Sequence, residues 1–231
     1  MTPGPAARGS IVSPELRARV RRAGEPVALA LGRLGFTPNA LTLTGFLITT
    51  VAAALAAAGL WLAAGVVVLL GGVFDLFDGA LARATGRVSA VGAFLDSVFD
   101  RWSEGIVFVG IAAGAVVAGF GLGAILSAAA MASAFMVSYT RAKSEALGFT
   151  TGTGMAQVGL APREVRLVVL AVGLVGAGLA GGVGPITAGG SSGDAGGTPW
   201  LGGSLAIIAV FATITVIQRI VHALGAAGHQ S

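Results

Sequence analysis

The chain has 231 residues, of which 55% are hydrophobic and only 10% charged, and it contains no cysteine. The absence of cysteine excludes a disulfide scaffold, a cysteine-ligated metal or iron–sulfur site, and thiol catalysis. Soluble domains have roughly a quarter of their residues charged, so much of this surface is expected to face lipid. The 38 glycines favour the same interpretation, because many lie inside long apolar runs where small residues let transmembrane helices approach closely. We therefore predict an all-α integral membrane protein.

The net charge of +4 does not indicate nucleic-acid binding. The basic residues lie beside apolar segments and have no aromatic residues interleaved among them, so attraction to anionic lipid headgroups is the better interpretation. We predict no nucleic-acid partner, and no cleavable signal peptide in residues 1–35.

The N-terminal arm is predicted to be disordered over residues 1–12 and then helical. Residues 13–15 (Ser-Pro-Glu) supply an N-cap, a proline at the first helical position and an acid in the first turn. Four arginines follow between residues 17 and 22. We expect a short juxtamembrane amphipathic helix, interrupted near Gly24 and Pro26, that lies on the membrane surface.

Six apolar runs are long enough to cross a bilayer, which takes about 20 residues per helix. The first two are joined by a tight turn around Gly59 and Trp61, and the last two by the Gly/Ser-rich stretch 184–199. The predicted organisation is a disordered N-terminus plus interfacial helix (1–36), a six-helix domain (37–223) and a tail (224–231). The six predicted transmembrane helices are roughly 39–60, 62–82, 91–118, 122–144, 165–183 and 201–222.

All 14 lysines and arginines fall on one side of the six predicted crossings. The positive-inside rule then predicts a multi-pass protein of the cytoplasmic membrane, with both termini and the loop between residues 141 and 166 in the cytoplasm. Trp61 and Trp200 would act as anchors at the outer interface. His222 and His229 are predicted to be interface or tail residues.

Four aspartates stand out in otherwise apolar segments. Asp75 and Asp78 are three residues apart at the end of the second run, and Asp96 and Asp100 are four apart at the start of the third. Each pair shares a helix face, and the short loop between the runs predicts antiparallel neighbouring helices whose carboxylates converge. Carboxylates without histidine or cysteine companions favour one or two Mg²⁺ or Mn²⁺ ions. For any single aspartate, a helix cap or interfacial acid is the alternative.

Small residues and an arginine surround these aspartates. Gly79, Ala82 and Gly92 remove side-chain bulk where a pyrophosphate could lie against the backbone, and Arg83 offers a guanidinium fork for phosphate. Helix packing is the alternative role for each glycine.

Together these residues resemble a known signature. Asp75-Leu-Phe-Asp78-Gly79-Ala-Leu-Ala82-Arg83, followed by Gly92, Asp96 and Asp100, is similar to the complete motif of the CDP-alcohol phosphotransferase family. The likeness extends over all six runs and includes Pro38-Asn39-Ala-Leu-Thr42, which resembles the family's nucleotide-side element. The resemblance implies transfer of a phosphatidyl-type group from a CDP-linked lipid to an alcohol, release of CMP, and a homodimer.

The resemblance also implies individual roles. Asp75, Asp78, Asp96 and Asp100 would ligate Mg²⁺ or Mn²⁺, two ions in all, and Asp100 would serve as general base. The residues that it implies bind the nucleotide and the CDP-lipid are Asn39, Thr42, Gly79, Ala82, Arg83 and Gly92. Independently of the resemblance, metal ions that neutralise a pyrophosphate and orient in-line attack suit this residue set.

Residues 138–148 and 159–166, together with Ser97, Arg101 and Glu104, resemble the phosphatidylinositol phosphate synthase branch of that family. That likeness implies CDP-diacylglycerol as donor and inositol 1-phosphate as acceptor. Pro162 departs from the branch, which often has an acidic residue there. The predicted acceptor-phosphate residues are Ser138, Arg141, Lys143, Arg163 and Arg166, with Arg219 as a further candidate. Positive-inside topology is the alternative explanation for each basic residue.

The sequence alone leaves three alternative functions open. The acceptor could be glycerol 3-phosphate or another alcohol. A UbiA-type prenyltransferase also uses aspartates and Mg²⁺, but it would need two Asp-rich motifs in distant helices. A cation transporter could line its path with intramembrane aspartates, although the acids here are confined to one end of the predicted bundle.

Overall fold

The computed structural model describes residues 14–149, 159–160, 162–185 and 195–227. Within these ranges the chain forms seven helices and no strand, which confirms the predicted all-α class. Residues 1–12, predicted to be disordered, and residues 228–231 of the predicted tail lie outside the described ranges, as does His229. The helices are α1 (Pro14–Arg33), α2 (Pro38–Ala57), α3 (Trp61–Ala84), α4 (Ala90–Val117), α5 (Gly121–Ala146), α6 (Arg163–Leu179) and α7 (Thr198–Ala227).

Helices α2 to α7 match the six predicted runs in order, with ends shifted by one to five residues. Within the described ranges, α2, α3, α5 and α7 are long and apolar enough to cross a membrane. Helix α6 has only 17 residues, and α4 carries charged residues such as Asp100 and Glu104 along its N-terminal part and up to its middle. The chain is therefore a multi-pass membrane protein by the composition of its helices, and the count of six crossings stays a prediction.

Helix α1 runs without a break through Gly24 and Pro26, so the predicted interruption is wrong. Proline removes one backbone hydrogen bond from a helix interior, and packing against α3 offsets this loss. A β-carbon at position 24 would lie 3.5 Å from the ring of Phe77 in α3. Tertiary contact, rather than local propensity, keeps this helix continuous.

The predicted tight hairpin between α2 and α3 is confirmed. Three residues connect the helices, and Gly59 has φ +75°, a backbone conformation that favours glycine. Trp61 begins α3 but is only 3% exposed, so its predicted role as an outer anchor is wrong. Its indole lies against Gly114 of α4, where the missing side chain makes room for it in the core. Trp200 is exposed.

The six helices that follow α1 close into a ring. Close contacts join them in the order α2–α4–α5–α7–α6–α3 and back to α2. The interior is filled by buried apolar side chains from these helices, among them Phe108, Ile111, Leu174 and Leu205. Helices α3 and α4 are not among the extensively packed pairs. The expectation that they pack directly side by side is therefore wrong, and α2 packs against both of them instead.

Candidate active site

The acidic residues of α3 contact the start of α2. Asp78 is 5% exposed, and its Oδ2 accepts a 2.7 Å hydrogen bond from the hydroxyl of Thr42. Its Oδ1 accepts from the backbone N–H of Gly79. Asn39 lies one turn before Thr42, and its side-chain oxygen faces Gly92 of α4, 3.5 Å from where a β-carbon at that glycine would be. The predicted nucleotide-side element therefore touches both acidic helices.

Asp75 and Asp100 converge on one guanidinium. Arg163, the first residue of α6, places Nη2 at 2.5 Å from Asp75 Oδ2 and Nη1 at 2.8 Å from Asp100 Oδ1. The other oxygen of Asp75 faces α2, where a β-carbon on Gly45 would lie 2.9 Å from it. Nε of Arg163 is buried and has no hydrogen-bond partner within the part of the chain that the structure describes. Carboxylates from α3 and α4 thus meet across the gap between the two helices through a cation.

The predicted convergence of all four aspartates is met in part. Asp96 lies one turn before Asp100 on α4 and is half-buried. Among the described residues, no three acidic, histidine or cysteine side chains are arranged closely enough to hold a metal ion as they stand. Mutual repulsion of the carboxylates separates them unless a cation intervenes, and Arg163 supplies that cation between Asp75 and Asp100.

The residues present nevertheless suit a divalent ion. Carboxylate oxygens are the ligands that Mg²⁺ and Mn²⁺ prefer, and Arg163 already marks a place for positive charge between two of them. The ion pairs at this gap join three carboxylates to three guanidiniums, those of Asp75, Asp100 and Glu104 with those of Arg101, Arg163 and Arg166. Asp78 and Asp96 lie one turn from Asp75 and Asp100 on the same two helices and are further carboxylates that a divalent ion could use.

Glu104 connects three helices through a buried ion-pair network. Its two oxygens accept hydrogen bonds from Nε and Nη2 of Arg166 at 2.8 and 3.0 Å. Arg101 Nη1 lies 2.8 Å from Glu104 Oε2 and 2.8 Å from the hydroxyl of Ser138. The sequence predicts no role in the site for Glu104 or Arg101. Their i,i+3 spacing in an apolar helix was the available signal, but Arg166 is 62 residues away from Glu104.

The predicted acceptor-phosphate residues are distributed between two environments. Arg166 is 3% exposed and Ser138 accepts from Arg101, so both belong to the Glu104 network. Arg141 is 49% exposed and pairs with Glu145 at 2.9 Å. Lys143 is exposed on the same helix, α5. The structure therefore joins Arg166 and Ser138 to the acidic gap and leaves the two α5 cations at the surface.

Arg219, the further acceptor-phosphate candidate, lies inside α7, eight residues before its end. It is buried, and its guanidinium donates to the backbone carbonyl of Val137 in α5. His222 is exposed on the next turn of α7, which agrees with an interfacial position.

The remaining predicted nucleotide residues lie near the end of α3 and, for Gly92, in the first turn of α4. The guanidinium of Arg83 covers Gly79, with Nη1 at 3.2 Å from where a β-carbon at that glycine would be. Arg83 is exposed, while Ala82 and Gly92 are half-buried. A basic side chain therefore lies directly over the small-residue surface next to Asp78.

A cavity of about 40 Å³ lies between α2, α3, α4 and α6. Its polar lining includes Asp75, Ser103, Glu104, Arg163 and Arg166. This volume holds water or an ion but no sugar phosphate. The charged groups therefore surround a real gap in the packing, at the place where α3 and α4 fail to meet.

Comparison with known proteins identifies the family. The sequence model of the CDP-alcohol phosphatidyltransferases matches residues 36–221, which covers helices α2 to α6 and most of α7. The chain belongs to this family. The UbiA-type prenyltransferase and cation-transporter alternatives are thereby set aside.

Relatives within the family support the branch indicated by the sequence. The chain is 36% identical over 156 residues to an archaetidylinositol phosphate synthase of Pyrococcus horikoshii, covering 68% of this chain and 78% of the relative. The crystal structure of the Mycobacterium tuberculosis phosphatidylinositol phosphate synthase with CDP-DAG bound matches with a TM-score of 0.70 at 27% identity. That match covers 87% of this chain and 94% of the other. A second structure of the same enzyme, in complex with manganese and citrate, matches with a TM-score of 0.72 over 87% of this chain and 88% of the other.

Proposed function

We propose that this enzyme transfers the phosphatidyl group of CDP-diacylglycerol to inositol 1-phosphate, releasing CMP and forming phosphatidylinositol phosphate. The observation that carries the proposal is the meeting of Asp75 and Asp100, from the two halves of the family's signature, around one cation at the gap between α3 and α4. The relatives named above are synthases of inositol phosphate lipids, and one of them was solved with CDP-DAG bound.

We propose Asp75, Asp78, Asp96 and Asp100 as the residues that hold divalent metal, Mg²⁺ or Mn²⁺. The manganese in a solved relative supports this assignment. When bound, the metal neutralises the pyrophosphate and stabilises charge that develops during transfer. On the nucleotide side, Thr42 fixes the Asp78 carboxylate, while Arg83 presents its guanidinium over Gly79 for the pyrophosphate.

The proposed transfer requires one general base. Asp100 accepts the proton from the acceptor hydroxyl, whose oxygen forms a bond to the phosphorus that carries the lipid. The bond from that phosphorus to the bridging oxygen breaks, and CMP leaves with that oxygen. Arg163 touches Asp100 in the structure, so it lies within reach of the same reacting groups.

The acceptor requires cations at its phosphate, because a dianion beside four carboxylates would otherwise be repelled. We propose Arg141, Lys143, Arg163 and Arg166 for this role, with Ser138 as a hydrogen-bond partner. Arg163 and Arg166 already lie at the acidic gap, and the exposed α5 cations would guide the phosphate towards it. Glycerol 3-phosphate is the alternative acceptor that a direct assay must exclude.

We propose that helices α2 to α7 all cross the cytoplasmic membrane, that α1 lies on its inner surface, and that the site and both termini face the cytoplasm. Large apolar side chains are exposed on the outward faces of these helices, for example Val117, Leu179 and Ile125. Apolar side chains of this kind are stable when they face the hydrocarbon interior of a membrane. Family resemblance supports a homodimer.

The test is release of CMP by purified protein from CDP-diacylglycerol, with inositol 1-phosphate, free inositol, glycerol 3-phosphate and serine as acceptors. Turnover should require inositol 1-phosphate, cease with a chelator and return with Mg²⁺ or Mn²⁺. Asp75→Asn, Asp78→Asn and Asp96→Asn should each lose activity by orders of magnitude and still fold, because Asn keeps the shape without the charge. Comparable turnover with glycerol 3-phosphate would change the acceptor, and no CMP with any acceptor would overturn the function.

A further inference from the structure

The guanidinium of Arg163 lies between two carboxylates of the acidic motif. Its two terminal nitrogens bridge Asp75 and Asp100, which come from different helices. The second oxygen of Asp75 lies against Gly45, and the second oxygen of Asp100 lies 3.6 Å from Nη2 of Arg101. Any other cation that used Asp75 Oδ2 and Asp100 Oδ1 together would meet the guanidinium of Arg163.

We infer that Arg163 is a placeholder cation: it keeps the Asp75 and Asp100 carboxylates together, competes there with divalent metal, and is displaced when metal binds. The inference rests on the metal site of the proposed function and is independent of the choice of acceptor. It gives Arg163 a role towards the metal ligands in addition to the acceptor-phosphate role proposed above.

The hydrogen bonding of Arg163 favours an exchangeable position. Nε is buried and has no hydrogen-bond partner among the described residues, although a guanidinium has five N–H donors and an unsatisfied buried donor destabilises the structure. Asp78 and Asp96, one turn from Asp75 and Asp100, bring two further carboxylates to the same two helices. A divalent ion carries twice the charge of a guanidinium and is attracted correspondingly more strongly. The displaced guanidinium would then have both terminal nitrogens available for an anion such as the acceptor phosphate.

The experiment measures Mn²⁺ binding without any substrate. Chelator-treated protein in detergent is titrated with Mn²⁺ and free ion is followed by electron paramagnetic resonance, for the wild type, Arg163→Gln, Arg163→Lys and Arg87→Gln. Removing the competing cation should tighten Mn²⁺ binding in Arg163→Gln by about 10- to 100-fold, the range expected for losing one charge-assisted contact. Arg163→Lys should lie between this variant and the wild type, because one ammonium bridges two carboxylates less well.

Arg87→Gln is the matched control, since Arg87 is an exposed arginine in the α3–α4 connection outside every proposed site. Its Mn²⁺ affinity should equal that of the wild type. A residue that only supported the fold would give unchanged or weaker Mn²⁺ binding when replaced. Either result for Arg163→Gln would overturn the inference.

Thermal unfolding provides the second measurement if Arg163→Gln is unstable in chelator. The variant should then be purified with Mn²⁺, and the rise in unfolding temperature from chelator to saturating Mn²⁺ should exceed that of the wild type. An equal or smaller rise would contradict competition. Failure of the wild type to release CMP from CDP-diacylglycerol would reject the proposed reaction and leave the Mn²⁺ comparison unaffected, so the two failures are distinguishable.

Discussion

Thr42 on α2 donates a 2.7 Å hydrogen bond to Asp78 on α3, and both side chains are buried. This contact joins the nucleotide-side element to the acidic signature, so the two motifs form one unit although 36 residues separate them. A buried carboxylate depends on such donors, because an unsatisfied charged group is costly in an apolar environment.

Thr42→Val should lower the free energy of unfolding by about 1–3 kcal/mol, because Asp78 loses its donor while the side-chain shape is kept. We also expect a raised KM for the CDP-lipid. Thermal unfolding in detergent and initial-rate kinetics measure the two effects. Thr44→Val is the control, since the Thr44 hydroxyl donates only within its own helix, to Ala40. Equal effects of the two substitutions would contradict a specific role for the Thr42–Asp78 contact.

Gly45→Ala should reduce activity at least tenfold and weaken Mn²⁺ binding. The added methyl group would lie 2.9 Å from Asp75 Oδ1, closer than normal van der Waals contact, so the carboxylate must move. Gly203→Ala serves as the comparison, because a β-carbon there meets nothing within 4 Å. That variant should retain activity and gain slightly in stability from the higher helix propensity of alanine. An active Gly45→Ala enzyme with normal Mn²⁺ affinity would show that the Asp75 position is not critical.

Arg141→Ala should raise the KM for inositol 1-phosphate by about 10- to 100-fold, the loss expected for one charge-assisted phosphate contact. The KM for CDP-diacylglycerol should stay nearly constant. Because Arg141 is 49% exposed and its ion pair in the described part of the chain is with its helix neighbour Glu145 at 2.9 Å, the protein should fold normally. Arg83→Ala should give the reverse pattern, with a raised KM for the CDP-lipid. An unaltered acceptor KM in Arg141→Ala would remove this residue from the pocket.

Arg166→Ala should be strongly destabilising, by about 3–5 kcal/mol, because it leaves Glu104 buried without its principal partner. The double variant Arg166→Ala/Glu104→Gln should recover much of that stability, since the unpaired charge is gone. If Arg166 also binds the acceptor, the double variant should keep a raised KM for inositol 1-phosphate. Unfolding curves and kinetics on both variants separate the two contributions. A normal acceptor KM in the double variant would assign Arg166 to stability alone.

The orientation in the membrane can be tested by single-cysteine labelling, since the chain contains no cysteine. An impermeant maleimide applied to intact cells should label a cysteine at position 192 and leave one at position 152 unlabelled. Both positions lie in connections outside the described residues. The reverse pattern would place the site on the outer side of the membrane.

Local signals in the sequence were sufficient for the helices and for the identity of the acidic motif. Apolar runs longer than a bilayer crossing, glycine at turns such as Gly59, and the Asp75–Asp78 and Asp96–Asp100 spacings all depend on neighbours within a few residues. Local signals failed where distant packing acted. Helix α1 continues through Pro26 because α3 supports it, and Trp61 is buried because Gly114 of α4 makes room for it.

The sequence by itself determined the all-helical class, the order of the helices and the spacing of the acidic motif, because periodicity and motif spacing are properties of the chain. Only the tertiary structure decided that α2 packs against both α3 and α4, so that the two acidic helices face each other across a gap. It also decided which charges pair: Arg163 with Asp75 and Asp100, and Arg166 with Glu104. Ion-pair partners that are 62 and 88 residues apart produce no periodic pattern in the sequence, because ion pairing depends on distance in space.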